Sequence, residues 1–147
     1  MNKQADSNED PACRQFDFWL GEWQVTKPDG TLAGHNRIEL RCDSRVLHEH
    51  YTTGRGYSGE SLNIYDSSRN VWHQTWVDNS GTLLLLEGGL ADGKMVLQGE
   101  LADGEGQVVR QRITWTPNAD SSVRQQWQTA AATGAWSTAF DGLYRKK

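Results

Sequence analysis

The chain has 147 residues, of which 23% are charged, with 15 Lys and Arg against 19 Asp and Glu and a formal net charge of −4. That length suits one domain burying roughly 68–70% of its unfolded surface, and an acidic balance without a basic cluster excludes a general nucleic-acid or anionic-membrane binder. No apolar run approaches the roughly 18 residues of a membrane-spanning helix, and with seven Trp in the chain the core must draw on large aromatics, each burying on the order of 150–250 Å².

The chain opens on "MNKQADSNEDPA", which reads as a disordered polar tail over residues 1–12, ahead of a single domain over 13–147. The tail has no apolar core region of a secretory signal, so the default location is cytoplasmic, or periplasmic where the chain is a mature form. Next comes "FDFWLGEWQV", a short aromatic turn that runs into a first strand over Glu22–Thr26. "KPDG" breaks that strand from a second over Leu32–Arg41, and "HEHYTT" follows around Val46–Thr53. The glycine-rich "GRGYSG" (54–59) reads as a loop. "SLNIYD", "VWHQTWV", "TLLLLEG", "KMVLQGEL", "QVVRQRITWT", "VRQQWQT" and "WSTAFDGLYRK" supply the remaining strands, separated by Gly-, Asn-, Asp- and Ser-rich turns. "LADG" occurs twice, at Leu90–Gly93 and Leu101–Gly104, which predicts two similar hairpin turns.

About ten strands with short connections and no helical periodicity predict an all-β protein with a short N-terminal helical turn. An antiparallel up-and-down meander of this length protects its edges best by closing into a barrel, with a two-sheet sandwich as the structural alternative. Alternation assigns faces: Trp72, Gln74 and Trp76 share one side of their strand, and His73, Thr75 and Val77 the other. Leu83–Leu86 puts leucine on both faces of one strand, so one pair fills the interior and the other leaves an outer apolar stripe suited to a homodimer contact. Cys13 and Cys42 are the two cysteines. A bridge between them would close a loop of about 30 residues, worth roughly 3–4 kcal/mol; two reduced thiols are the equal alternative.

Gly21-Glu22-Trp23 is a GxW triplet at the start of the first strand, behind an aromatic turn and ahead of a chain ending in "DGLYRK". In this the chain resembles the calycins, the superfamily of lipocalins and fatty-acid-binding proteins. The resemblance implies a lipocalin-like barrel in which Trp23 enters the floor and a basic residue of the last strand, Arg145, lies across its ring. Over about Arg14 to Arg145 the segments "RQFDFWLGEWQV", "NRIEL", "SLNIYD", "VWHQTWVDNSGTLL" and "FDGLY" are similar to a bacterial family of small lipocalin-like barrels with no assigned biochemical role. "TAAATGAWSTAF" departs from the longer turn of that pattern. The aromatics of Phe16–Trp23 then plug one barrel end.

Chemistry-bearing residues concentrate at "HEHY". His48 and His50 lie two apart on a strand and so share a face, where Glu60 or His73 would complete a weak candidate metal site. The opposite phase turns Glu49 and Tyr51 inward, and burial then raises the Glu49 pKa into the range of a general acid or base. A structural role is the alternative: Glu49 anchoring Asn63, Gln74 or an arginine. Asp78 and Asp141 adjoin turn signals and read as turn caps. The leading expectation is a barrel holding a small hydrophobic or aromatic molecule, with Tyr51, Tyr65, Trp72, Trp76 and Trp115 as walls and Glu49, Asn63 and Gln74 as orienting groups. A small isomerase, cyclase or hydrolase using Glu49 or a histidine is the second, and haem or metal binding through an inward histidine the third. No cofactor is expected on the first reading, and whether the chain is an enzyme stays open.

Overall fold

The computed structural model describes residues 10–147. The expected tail (1–12) therefore lies mostly outside the described residues, and its last positions already belong to a 3-10 turn over Pro11–Arg14, which Asp10 caps by accepting from the Ala12 N–H at 2.9 Å. A second 3-10 turn covers Asp17–Trp19.

From Gly21 the chain forms ten antiparallel strands: β1 (Gly21–Thr26), β2 (Leu32–Arg41), β3 (Val46–Thr52), β4 (Ser58–Asp66), β5 (Val71–Asp78), β6 (Leu83–Ala91), β7 (Lys94–Ala102), β8 (Val108–Pro117), β9 (Val123–Ala131) and β10 (Ser137–Lys146). Each pairs with its sequence neighbours, and β1 pairs with β10 to close the barrel. Closure leaves no free sheet edge. The expected up-and-down barrel is therefore the fold, and the sandwich is not.

Turns follow a common device. Asp29, Asp66, Asp78, Asp103 and Asp120 each accept from the backbone N–H two residues on, at about the same distance of 2.9–3.0 Å. This bond closes a turn without demanding glycine. The two "LADG" turns differ, contrary to expectation. Asp92 and Gly93 both have positive φ (52° and 77°) in a two-residue hairpin between Ala91 and Lys94. In the second, Asp103 caps a longer turn by accepting from Glu105 N and Gln107 N, and Gly106, not Gly104, takes the positive φ of 78°. Asp141 caps no turn; it lies within β10, where its carboxylate accepts from Arg124 of β9 at 3.0 and 2.7 Å.

The aromatic segment closes one end of the barrel. Phe16 stacks on Trp19 at 4.8 Å between ring centres and meets Trp72 and Trp115 edge-on at 5.6 and 5.0 Å. Trp23 donates its indole N–H to the Trp19 carbonyl at 2.8 Å. Phe16, Trp19, Trp23 and Trp115 have no solvent exposure. The basic residue across Trp23 is Lys146, with Nζ 4.9 Å from the ring, and not Arg145. The register explains the difference. Trp23 pairs directly with Lys146, whereas Arg145, one residue earlier, points to the other face and meets Asp120 at 3.4 Å. Gly21 takes a φ of 136°, a conformation that favours glycine, and its bare Cα leaves room for the Lys146 side chain.

Cys13 is buried and Cys42 exposed, and both are free thiols. The link expected of a disulfide is made instead by arginines: Arg14 donates to the Ser44 carbonyl, and Arg45 approaches the Cys13 sulfur at 3.8 Å. In the "TAAATGAWSTAF" segment, Arg110 and Arg112 lie 4.7 and 4.2 Å from the centre of the Trp136 ring. Arg110 also donates to the carbonyls of Ala131 and Gly134, fastening the short β9–β10 turn to the outer wall.

Candidate functional site

Inward side chains recur every second residue, and each step of two moves down the barrel. On β5 the descent runs Trp76, Gln74, Trp72; on β3 it runs Tyr51, Glu49, Leu47; on β10 it runs Phe140, Gly142, Tyr144. The interior is thereby divided into three levels. At the plugged end it is filled by Phe16, Trp19, Trp72 and Trp115. Across the middle runs a buried polar belt. Above the belt lies a cavity of about 400 Å³, lined by Ala33, Leu84, Ile113, Tyr51, Trp76, Trp127 and Phe140, with Glu49, Gln74, Gln125 and Tyr144 at its floor and Lys27, Thr53, Arg55 and Tyr57 among its remaining lining residues.

Glycines make that space. A Cβ on Gly59 would stand 2.2 Å from the Trp76 ring, one on Gly34 2.7 Å from the Tyr51 hydroxyl, and one on Gly142 2.7 Å from the Phe140 ring. Two cavity aromatics, Trp76 and Tyr51, therefore rest against bare backbone of a neighbouring strand, and Phe140 rests against Gly142 of its own strand. Gly59 belongs to β4, so the loop expected over 54–59 ends two residues early.

The belt is a continuous chain of hydrogen bonds. Gln74 Nε2 donates to Asn63 Oδ1 (2.8 Å), and Asn63 Nδ2 donates to Ser61 Oγ (2.9 Å) and to the Leu47 carbonyl (3.1 Å). Ser61 Oγ donates to Glu49 Oε1 at 2.6 Å, and Asn36 Nδ2 donates to Glu49 Oε2 at 2.7 Å and to the Tyr144 hydroxyl at 2.8 Å. Tyr144 in turn donates to Gln125 Oε1 at 2.6 Å. Donors thus converge on Glu49 from β2 and β4, the arrangement that suits an ionised carboxylate. Glu49 is only 4% exposed. Loss of water pushes its pKa up, bonds from Ser61 and Asn36 pull it down, and the outcome is a carboxyl titrating at about 6. Burial likewise holds the Tyr144 hydroxyl well above its ordinary range, so it stays neutral.

Above the cavity, the β3–β4 turn is fastened to the β5–β6 turn. Tyr57 donates to Asp78 Oδ2 at 2.7 Å, and Trp76 Nε1 reaches the same oxygen at 3.2 Å. Asn79 donates to the Gly56 carbonyl at 2.7 Å and accepts from Ser58 N at 3.2 Å. Burial acts to raise the Asp78 pKa, yet bonds from Ser80, Tyr57 and the Thr82 N–H outweigh it and hold the carboxyl well below its usual range.

The structure places Glu49, Tyr51, Gln74 and Trp76 of the expected site on the cavity. Asn63 sits in the belt beneath it, fully buried and donating sideways. Trp72 and Trp115 are not cavity walls: each lies two residues beyond the nearest lining residue of its strand, Gln74 and Ile113, packed on Phe16 in the plug. Tyr65 is also at that end, with its ring 5.9 Å from Trp72 and its hydroxyl on Asn70. Trp127, Phe140, Tyr144, Gln125, Tyr57, Lys27 and Arg55 are cavity residues the sequence reading did not select. Alternation from Val123 marks Gln125 and Trp127 as inward, and the glycines inside strands signal rings folded onto them.

The histidines occupy outward positions. His48 meets Glu60 at 2.7 Å, His50 faces Arg37 at 3.4 Å, His73 meets Glu87 at 3.1 Å, and His35 borders a shallow outer groove. His48, His50, Glu60 and His73 do not converge, and among the described residues no group of three His, Cys, Asp or Glu gathers to hold a metal ion. An axial histidine for haem inside the barrel is likewise not supplied. No family model matches the chain, and no curated protein matches it.

Proposed function

We propose that the barrel binds a small, largely apolar and aromatic molecule in its cavity, as a carrier or receptor. The carrying observation is the cavity itself: about 400 Å³ kept open by rings folded onto glycines, with few polar groups. That is the size and polarity of small-molecule sites in general. The closed ten-strand barrel, its aromatic plug and the GxW triplet also fit a calycin-like fold, which supports the same reading by analogy. Titration with anilinonaphthalene sulfonate, a dye that fluoresces in apolar surroundings, tests it. Saturable binding that quenches tryptophan emission is expected, and replacing Ile113 and Ala33 by larger side chains should abolish it. Dye binding that survives cavity filling would refute the site.

A second reading has its own observation. Glu49 titrates at about 6 on the cavity floor, a value suited to moving a proton near neutral pH. A turnover that follows ionisation of this group and disappears in Glu49→Gln would make the barrel a small acid–base enzyme.

The outer apolar stripe supports a homodimer as a further proposal. Leu84 and Leu86 are buried, whereas Leu83, Leu85, Leu62 and Val77 are exposed on adjacent strands, with Leu62 and Leu85 both paired to Thr75. Analytical ultracentrifugation of Leu85→Glu against the native chain tests it: a dimer converted to monomer supports the contact, and a native monomer at high concentration removes it.

A further inference from the structure

The cavity is electrically polarised. Glu49 is its one carboxylate lining residue and belongs to the floor; Lys27 and Arg55 are its cations, each set beside a turn above it, and neither makes an ion pair among the described residues. Buried carboxylates ordinarily have a cationic partner. Glu49 has none among the described residues, only one neutral donor on each oxygen, Ser61 and Asn36. A carboxylate offers about four lone-pair sites, so acceptor capacity is left over beside the cavity. Between the two charged levels stand aromatic walls, with Trp76 and Phe140 close against Gly59 and Gly142.

We infer that the cavity takes an aromatic compound carrying a hydroxyl that donates to Glu49 at the floor and an anionic group that meets Lys27 and Arg55 at the mouth. This rests on the ligand-binding reading above and adds the ligand's class and direction. A carboxylate entering head first meets like charge in a low-dielectric site, which is strongly unfavourable. A cationic amine must pass Lys27 and Arg55 and shed its water. A neutral hydroxyl joins the Ser61 and Asn36 donors without either cost, and hydrogen bonds to an ionised acceptor are the strong ones. The anionic end remains at the mouth, where two cations in an otherwise acidic protein focus attraction.

The test is isothermal titration calorimetry with para-hydroxyphenyl-alkanoates of increasing chain length, the same acids lacking the hydroxyl, and the matching para-alkylphenols. The best hydroxy acid should bind roughly 10–100-fold tighter than its counterpart without the hydroxyl, the loss expected for one hydrogen bond to a charged group. That preference should shrink below pH of about 6 as Glu49 takes up a proton. The groups facing Glu49 are Asn36 of β2, Ser61 of β4, Tyr144 of β10, Tyr51 of its own strand and Tyr57 of the β3–β4 turn, with His48 acting through the wall and Arg55 acting on Tyr51. Burial raises Tyr51, Tyr57 and Tyr144, so they stay neutral in this range. In Glu49→Gln the hydroxyl preference and its pH dependence should both fall away, which separates Glu49 from His48. Lys27 and Arg55 are exposed, so the double variant Lys27→Ala, Arg55→Ala changes only the mouth. It should lose the preference for hydroxy acids over alkylphenols, several-fold and more at low salt, while keeping the hydroxyl preference. Equal affinity for acids with and without the hydroxyl, with the dye still bound in the cavity, would overturn this inference and leave the binding reading standing. Failure of the dye and of every probe would overturn both.

Discussion

Glu49→Gln keeps the shape of a buried side chain and removes one titration. In the folded protein the carboxyl titrates at about 6, against an ordinary value of 4.5. A raised folded pKa means that the native state holds the proton more tightly, so stability falls as pH rises from 4.5 towards 6. The difference of about 1.5 units is worth about 2 kcal/mol at 1.36 kcal/mol per unit. Above that window the native protein carries the full cost of a desolvated carboxylate. Below it the cost is gone. Glutamine has no such dependence. Urea unfolding of both proteins at about pH 4 and about pH 7.5 therefore yields a difference that moves by about 2 kcal/mol in favour of the glutamine variant at the higher pH. The salt-bridged acids Asp66 and Glu87, held at about 2 by hydrogen bonds, the largest from Ser68 and Arg69 respectively, weaken both proteins alike in acid and cancel in the comparison. Parallel pH profiles would refute the claim that Glu49 is a desolvated acid.

Lys146→Ala should cost about 0.5–1 kcal/mol through loss of the cation over Trp23, while Arg145→Ala, whose partner Asp120 is exposed, should cost almost nothing in thermal unfolding. Gly59→Ala should destabilise by about 1–3 kcal/mol and weaken dye binding, because its Cβ would force the Trp76 ring off the wall and into the lumen; an unchanged dye affinity would contradict the glycine seat. Phe16→Ala should cost about 3–5 kcal/mol in chemical unfolding, because Phe16 contacts Trp19, Trp72 and Trp115 at once.

The period-two pattern made the barrel and its inward face legible. Trp72, Gln74 and Trp76 all point inward as their spacing requires, and Glu49 does so while His48 and His50 do not. What alternation does not carry is depth. Residues two apart share a face but stand at different levels, so Trp76 lines the cavity while Trp72 belongs to the plug. Depth is set by the stagger of strands around the barrel, a long-range property. The same limit applies to Trp23: its basic neighbour is decided by the β1–β10 register, which shifts the contact by one residue from Arg145 to Lys146. The cavity lining from β9 and β10 was missed for a related reason. Gln125 and Tyr144 meet only when β10 folds back on β9, and their polarity alone does not announce an interior site.

Native mass spectrometry of the protein purified from its own source cells reads the content of the cavity itself. A population heavier than the denatured chain by one small molecule is expected, displaced by the dye and lost in the variant with enlarged Ile113 and Ala33 side chains. A single bare mass, unchanged after incubation with a small-molecule extract of those cells, would contradict ligand binding in the cavity.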